Sequence, residues 1–395
     1  MGLGSAIQKL LSNGIGSVDP SSSDEKRERD LLVAHAMRDR AAELAERAGV
    51  SKDKAAATVL ARETLFLERA GLALKEAFKG GVKVTPYKPK SKSKTKRVLN
   101  LLWSDLHFHA LLDPRELPLA YGPTEEARRL AELCVQAANY KRDHRDETEL
   151  TVNIAGDIIQ NHLHDQRDGA PLADQWSAAL YLLTQAIAFL ATEFKKVTVN
   201  CVPGNHGRDT ARHRERATNQ KWDSLENTLY YALQVAFANQ PNVSFNIPYT
   251  PHVIYNVFGK NILVTHGDTF FKPGNPGSSI DVNGIANQIN KFNAGRHDKD
   301  KVSVFAVGHV HTGSMVRLAG DVVFISNSAL IPIDSFAQSI GIYDTSCGQQ
   351  MWESTEGHVV GDSRYIVVDE SVDKNSDLDK IIKPFSGFSS VPRRP

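Results

Sequence analysis

Cysteine is scarce. Three thiols in 395 residues, Cys134, Cys201 and Cys347, are too few and too far apart for a disulfide framework or a thiolate zinc site, and a reducing cytoplasm suits them best. An excess of one charge is also missing: 47 Lys+Arg face 46 Asp+Glu, a net charge of +1. That excludes a uniformly basic nucleic-acid coat, though not local basic patches. No stretch approaches about 18 uninterrupted apolar residues, so no membrane span is expected. The opening MGLGSAIQKLLSNG has little positive charge and no apolar core of signal-peptide kind, and Ala6 stands where a myristoylation site wants Ser or Thr. There is no internal repeat, no G-x-S-x-G serine motif and no P-loop. The rest is globular in composition, 41% hydrophobic and 24% charged, with length for one large domain or two to three ordinary ones. Histidine, by contrast, is plentiful at 14 residues, and where these fall carries the argument.

The chain divides by composition. Residues 1–24 are rich in Gly, Ser and Asp and read as a flexible N-terminus. Residues 25–86 are mostly rich in Ala, Leu, Glu, Lys and Arg and favour helix. Within them Leu44, Ala45, Gly49 and Val50, with Ser51 as a cap, have the spacing of a helix-turn-helix; a plain helical hairpin for packing is the other reading. KPKSKSKTKR, ending the basic linker at 87–97, has six positive residues in ten and no acid. It cannot pack, and it suits either a solubilising spacer or a polyphosphate partner. From 98 to 370, short β-rich runs ending in Gly/Asp/His clusters alternate with helical stretches near Glu125–Tyr140, Gln175–Lys195 and Asp223–Ala238. This is an α/β pattern, with polar clusters where such sheets bind ligands. Residues 371–395 read as a C-terminal tail.

Five clusters close these runs: Asp105 and His107 in SDLH, Asp157 in GDII, Asn205 and His206 in GNHG, His266 in THGD, and His309 and His311 in GHVH. Side chains two apart at a strand end point to one side, so Asp105 with His107, and His309 with His311, can each serve one ion. Mixed N/O donors without thiolate suit Mn²⁺, Fe or Zn²⁺. With His206 set aside as a candidate acid, the seven remaining candidate ligands exceed the needs of one tetrahedral ion. Two ions about 3.5–4 Å apart, sharing the Asp157 carboxylate, account for them. Each cluster alone is a weak signal; five in this order, each after an apolar run, are a strong one.

With those motifs in that order, residues 98–333 resemble the calcineurin-like metallophosphoesterases. The resemblance implies an α/β fold of two mixed β-sheets packed as a sandwich and flanked by helices, with a small helical N-terminal region before it. It implies a two-metal hydrolase, with Asp105, His107, Asp157 and His311 on one ion and Asp157, Asn205, His266 and His309 on the other. His206 would sit near the scissile phosphate as the catalytic residue, stabilising it or protonating the leaving oxygen. Two positions depart from the family pattern. An acid often follows GNH, where this chain has Gly207, and the acid or Asn often found three residues after the GD aspartate is Gln160, with Asn161 next. Both bear on how His206 is tuned.

Substrate signals are sparser. Arg208, Arg212, Arg214 and Arg216 follow GNH directly and can clamp phosphates flanking the one being cut. His162 and His164 follow Asp157 closely enough to reach the mouth of a pocket, and His109 to line it; DNA-repair nucleases of the family also carry a histidine soon after GD. Phe108, Trp176 and Trp222 read as core rather than base-stacking residues. Together with the basic linker, these features favour a DNA-directed nuclease or phosphodiesterase, with DNA as partner, no membrane and a homodimer as a plausible assembly. The alternatives are a small-molecule nucleotide or cyclic-nucleotide phosphodiesterase and a non-catalytic DNA-binding protein with a vestigial site.

Overall fold

The computed structural model describes residues 82, 84, 96–110, 112, 121–144, 148–161, 169–208, 221, 224–248, 250–269, 271–274, 280–332, 346–368 and 377–385. The expected N-terminus, nearly all of the helix-turn-helix region and most of the basic linker lie outside them. Arg97, expected to end that linker, instead opens the first strand and pairs with Glu353.

Eleven strands build two sheets among the described residues. β1 (Arg97–Trp103), β2 (Thr148–Ile154), β3 (Val197–Cys201) and β4 (Val243–Asn246) run parallel, with β10 (Gly348–Ser354) antiparallel to β1 and β11 (Ser363–Val367) outside it. The first sheet thus has the order β11-β10-β1-β2-β3-β4. β5 (His252–Val257), β6 (Lys260–Thr265), β7 (Val302–Val307), β8 (Ser314–Leu318) and β9 (Val322–Ser326) form the second, in the order β5-β6-β7-β9-β8. Here β6, β7 and β9 are parallel, and β5 and β8 are antiparallel edges. Four helices accompany them: α1 (Pro123–His144), α2 (Leu172–Glu193), α3 (Leu225–Ala236) and α4 (Val282–Ala294). The first three make the crossovers β1-α1-β2, β2-α2-β3 and β3-α3-β4 that parallel neighbours require.

Period-two patterning divides the core. Leu102, Ala155 and Val202 of the first sheet and its strand ends meet Ile262, Val264, Val304, Ala306, Val323 and Ile325 of the second, so the sheets pack face to face. The intervening residues Leu263, Phe305 and Phe324 turn the other way and pack with Ile285 and Ile289 of α4. Phe108 and Trp176 are buried, as expected of core residues.

A polar ladder runs through the sandwich. Asn153 and Asn200 pair across β2 and β3, and Asn246 continues the row on β4. Asn200 Nδ2 donates to Asn153 Oδ1 at 2.9 Å and Asn246 Nδ2 to Asn200 Oδ1 at 3.2 Å. Tyr255 of the facing sheet joins on: its hydroxyl donates to Asn100 Oδ1 at 3.0 Å and accepts from Asn153 Nδ2 at 3.1 Å. Buried amides are tolerable when linked in this way, and the links fix the register of one sheet over the other.

Part of the expected C-terminal tail is packed. Asp377–Lys380 form a 3-10 turn, Leu378 and Ile382 are buried, and Lys383 exchanges hydrogen bonds with Gln185 of α2. Its apolar side chains give it a reason to dock that a charge-rich composition conceals. Among the described residues no helix is long and apolar enough to cross a membrane.

Candidate metal centre

All five clusters lie where parallel strands end. Asp105 and His107 follow β1, Asp157 follows β2, Asn205 and His206 follow β3, His266 follows β6, and His309 and His311 follow β7. The C-terminal ends of the two parallel cores therefore open on one place. The same-side argument for residues two apart does not describe the structure, because these residues lie beyond the strands. Asp105, His107, Asp157, His309 and His311 all have positive φ, between 46° and 68°. Left-handed backbone is uncommon for such residues, and its clustering marks loops bent to aim side chains.

Backbone contacts hold the bends. Asp105 N–H donates to Gly156 O at 3.0 Å and His107 N–H to Asp157 O at 3.0 Å, so the first two loops run side by side. The β2 and β3 loops touch even more closely. A Cβ on Gly156 would lie 2.2 Å from Gly204 N, and one on Gly204 would lie 1.9 Å from Asp157 Oδ1. Glycine at both positions is what lets Asp157 reach the centre. Across the sandwich, His309 N–H donates to Asp105 Oδ1 at 3.1 Å, tying the second sheet to the first.

The side chains form two groups. In one, ligand atoms of Asp105, His107 and His311 lie within 4.8 Å of one another; in the other, those of Asp157, His266 and His309 do. Asn205 joins the second group, its Oδ1 3.0 Å from His266 Nε2. His266 Nε2 is also 3.0 Å from Asp157 Oδ2, and its Nδ1 donates to Ala155 O at 2.8 Å. That second hydrogen bond fixes the tautomer that points Nε2 inward.

The donor set suits divalent cations. Both ring nitrogens of His107 are buried and have no hydrogen-bond partner among the described residues, a costly state for an imidazole that an ion at the lone-pair nitrogen would relieve in part. Burial, then the neighbouring His206, push His107 down to about 3, and burial with His266 pushes His309 down to about 4. Both rings are thus neutral and ready to ligate. Against the cost of burial, the His311 hydrogen bond lowers Asp105, and His266 with His206 hold Asp157 well below the usual carboxylate range. His266 is the exception: burial opposes its charge, but Asp157 raises it to about 9.

His206 lies beside this centre. Its N–H donates to Asp157 Oδ1 at 2.8 Å, its Nδ1 donates to Gln160 O at 2.6 Å, and its Nε2 is 4.0 Å from Asp157 Oδ2. A carbonyl accepts only, so Nδ1 keeps its hydrogen and any proton exchanged sits on Nε2. Gln160 thus acts through its backbone. Asn161 clamps the loop, donating from Nδ2 to His206 O at 2.6 Å and to Arg208 O at 2.9 Å.

Of the expected substrate residues, Arg208 is described, forming an isolated bridge with Ser224. Arg212, His162 and His164 lie outside the described residues. His109 faces Glu126, with its Nδ1 2.9 Å from Oε1, and packs against Phe385 rather than joining either ligand group.

Two acids escaped the sequence reading. Asp268, two residues past His266, pairs with buried Lys221 at 2.7 Å, and Lys221 also donates to Pro203 O at 2.8 Å. Glu226 is wholly buried at the start of α3, accepting from Ile158 N–H and Gly204 N–H at 2.6 Å each. Burial and the Asp157 charge push it up to about 7 against the pull of those donors. Asp268 was visible in the HGD triplet; an acid in a first helical turn carries no special signal.

No protein-family model matches the chain, and no curated protein does. Among solved structures it is similar to a Staphylococcus aureus protein described as a 5′-nucleotidase, at 12% identity and a TM-score of 0.34, covering 72% of this chain and 57% of that one. It is similar to the sulfate thiohydrolase SoxB of Thermus thermophilus at 13% identity and 0.31, covering 76% and 60%. A third is the calcineurin-like phosphoesterase YfkN of Bacillus subtilis, at 11% and 0.32, covering 72% and 95%. The chain spans less than two thirds of the length of the first two. Likenesses this distant carry no argument about activity.

Proposed function

We propose that the chain is a two-metal phosphoesterase of the calcineurin-like type that hydrolyses phosphodiesters, with DNA as substrate and Mn²⁺ as the preferred ion. The observation that carries this reading is the convergence of two N/O ligand groups at the strand ends, with His206 beside the Asp157 carboxylate. Asp105, His107 and His311, with Asp157, would hold one cation; Asp157, Asn205, His266 and His309 would hold the other. Cations there would supply neutralisation of the phosphoester's charge and a water acidic enough to lose its proton near neutral pH.

The chain's own residues do the rest. Asp105 and Asp157 stay ionised and His107 and His309 neutral, so these four keep their donor form around pH 7, while His266, raised to about 9, gives up its Nε2 hydrogen when an ion binds. His206, held by Gln160 O and Asp157, presents Nε2 and gives its proton to the departing alcohol oxygen. No side-chain nucleophile is required. DNA is favoured by the run of lysines from Lys88 to Lys96 and by the arginines that begin at Arg208, one residue past Gly207.

The test supplies Mn²⁺ with a chromogenic phosphodiester and, separately, with single- and double-stranded DNA. Hydrolysis of the small ester without cutting of DNA contradicts the DNA reading and leaves the phosphoesterase reading standing. Changing Lys88, Lys90, Lys92 and Lys94 to Gln should weaken DNA binding and flatten its salt dependence by a slope of roughly 3–4, with turnover of the small ester unchanged. An unaltered salt slope counts against a DNA role for the linker.

A further inference from the structure

We propose that Glu226 is a positioning residue of the metal centre: from the start of α3 it supplies the loop-holding carboxylate for which Gly207 leaves room. The inference rests on the two-metal reading and adds to it the means by which two ligand-bearing loops are kept in register. Ile158, whose N–H the Glu226 carboxylate accepts, follows Asp157; Gly204, the other donor, precedes Asn205. One buried side chain therefore joins the loop of the shared carboxylate to the loop of Asn205 and His206. It does not cap its own helix, a task done by Ser224, whose Oγ accepts from Glu226 N–H at 3.2 Å. A buried carboxylate near Asp157 is costly, and two N–H groups that would otherwise be orphaned explain why one is placed there.

Gly207 lies against the Glu226 side chain. Its φ is not among the positive values, so the backbone does not demand glycine there. Space does: an added Cβ would lie 2.7 Å from Glu226 Cγ, 3.0 Å from Glu226 Cδ and 2.4 Å from Ser224 Oγ. A side chain at 207 would meet the Ser224 hydroxyl and the stem of the Glu226 side chain. No acid follows GNH directly in this chain, and the Glu226 side chain lies against the place where such a side chain would begin.

The experiment uses the full chain with Mn²⁺ as probe. Glu226→Gln keeps the shape but turns an N–H donor toward one of the two N–H groups. It should weaken Mn²⁺ binding about 10–100-fold by calorimetry and speed hydrogen exchange in peptides covering 154–160 and 202–207. Glu226→Ala should lose more, and Gly207→Asp with Glu226→Ala should recover at least about tenfold of that loss, once the Ser224 hydroxyl rotates aside. Wild-type Mn²⁺ affinity and exchange in Glu226→Gln overturns the proposal, even if the double variant fails to fold. A folded double variant no better than Glu226→Ala also overturns it. If the wild-type chain binds no Mn²⁺, the two-metal reading fails instead, while the exchange data still report whether Glu226 holds the loops.

Discussion

Raising the pH from 6.5 to 8.5 should tighten metal binding about a hundredfold or more: loss of the His266 proton is the main cause, and ionisation of Glu226, raised to about 7, acts in the same direction. In the metal-free chain, His266 is raised to about 9 by Asp157 despite its burial. Its Nε2 hydrogen lies between Asp157 Oδ2 and Asn205 Oδ1, both 3.0 Å away. An ion bound by His266 must displace that hydrogen. Each pH unit below the His266 value therefore costs about tenfold in affinity, or roughly 1.4 kcal/mol, and two units give the hundredfold. His107 and His309, pushed down to about 3 and 4, are already neutral, and Asp105 and Asp157 already ionised, so none of them titrates in this window. Calorimetric titration of Mn²⁺ at pH 6.5, 7.5 and 8.5, in buffers of different ionisation enthalpy, reads affinity and proton release together. Affinity independent of pH, with no proton released, would refute the reasoning. The same shift bears on stability without metal. The raised His266 value stabilises the fold fully below 6.5, and that contribution, about 3 kcal/mol, is lost as pH rises through 9. The depressed His107 and His309 values act oppositely, costing stability as pH falls below 6.5.

Other perturbations have equally definite outcomes. His309→Ala should abolish phosphodiester hydrolysis with loss of bound metal, whereas His206→Ala should retain metal and lower turnover about 10²–10⁴-fold; unchanged turnover in the second would remove His206 from the chemistry. Gly204→Ala drives a methyl to 1.9 Å from Asp157 Oδ1, and denaturant titration should show a loss of about 3 kcal/mol along with loss of metal binding. Asn200→Ala leaves Asn153 Oδ1 and Asn246 Nδ2 without their ladder partner. It should cost about 1–3 kcal/mol in urea unfolding, with metal affinity unchanged.

Strands β1, β2, β3, β6 and β7 are legible in the sequence because each is an apolar run closed by a Gly/Asp/His cluster, and β9 because it is a short buried apolar run closed by Asn327 and Ser328. Helices α1, α2 and α3 fall within a few residues of the stretches their composition marks. The edge strands β4, β8 and β11 carry no such run, since much of each is only half-buried or exposed. β10 is buried throughout yet contains Gln349, Gln350 and Glu353, which conceal it. Its Gln349 belongs inside because it accepts from Ser104 N–H and Asn327 Nδ2 next to Asp105. At the site, the order of motifs names the residues that the loops bring together. The strand-alternation argument for Asp105 and His107 does not hold, because left-handed turns rather than pleating aim them. Glu226 was illegible for a different reason: its two donors lie 68 and 22 residues away, and only the folded loops bring them to it.

The most direct test of the two-metal phosphoesterase is the rate of phosphodiester hydrolysis measured against Mn²⁺ bound per chain. The account predicts two ions bound, with hydrolysis that rises as the second site fills and is absent in His309→Ala. A chain that holds two ions and leaves every phosphodiester intact would contradict it.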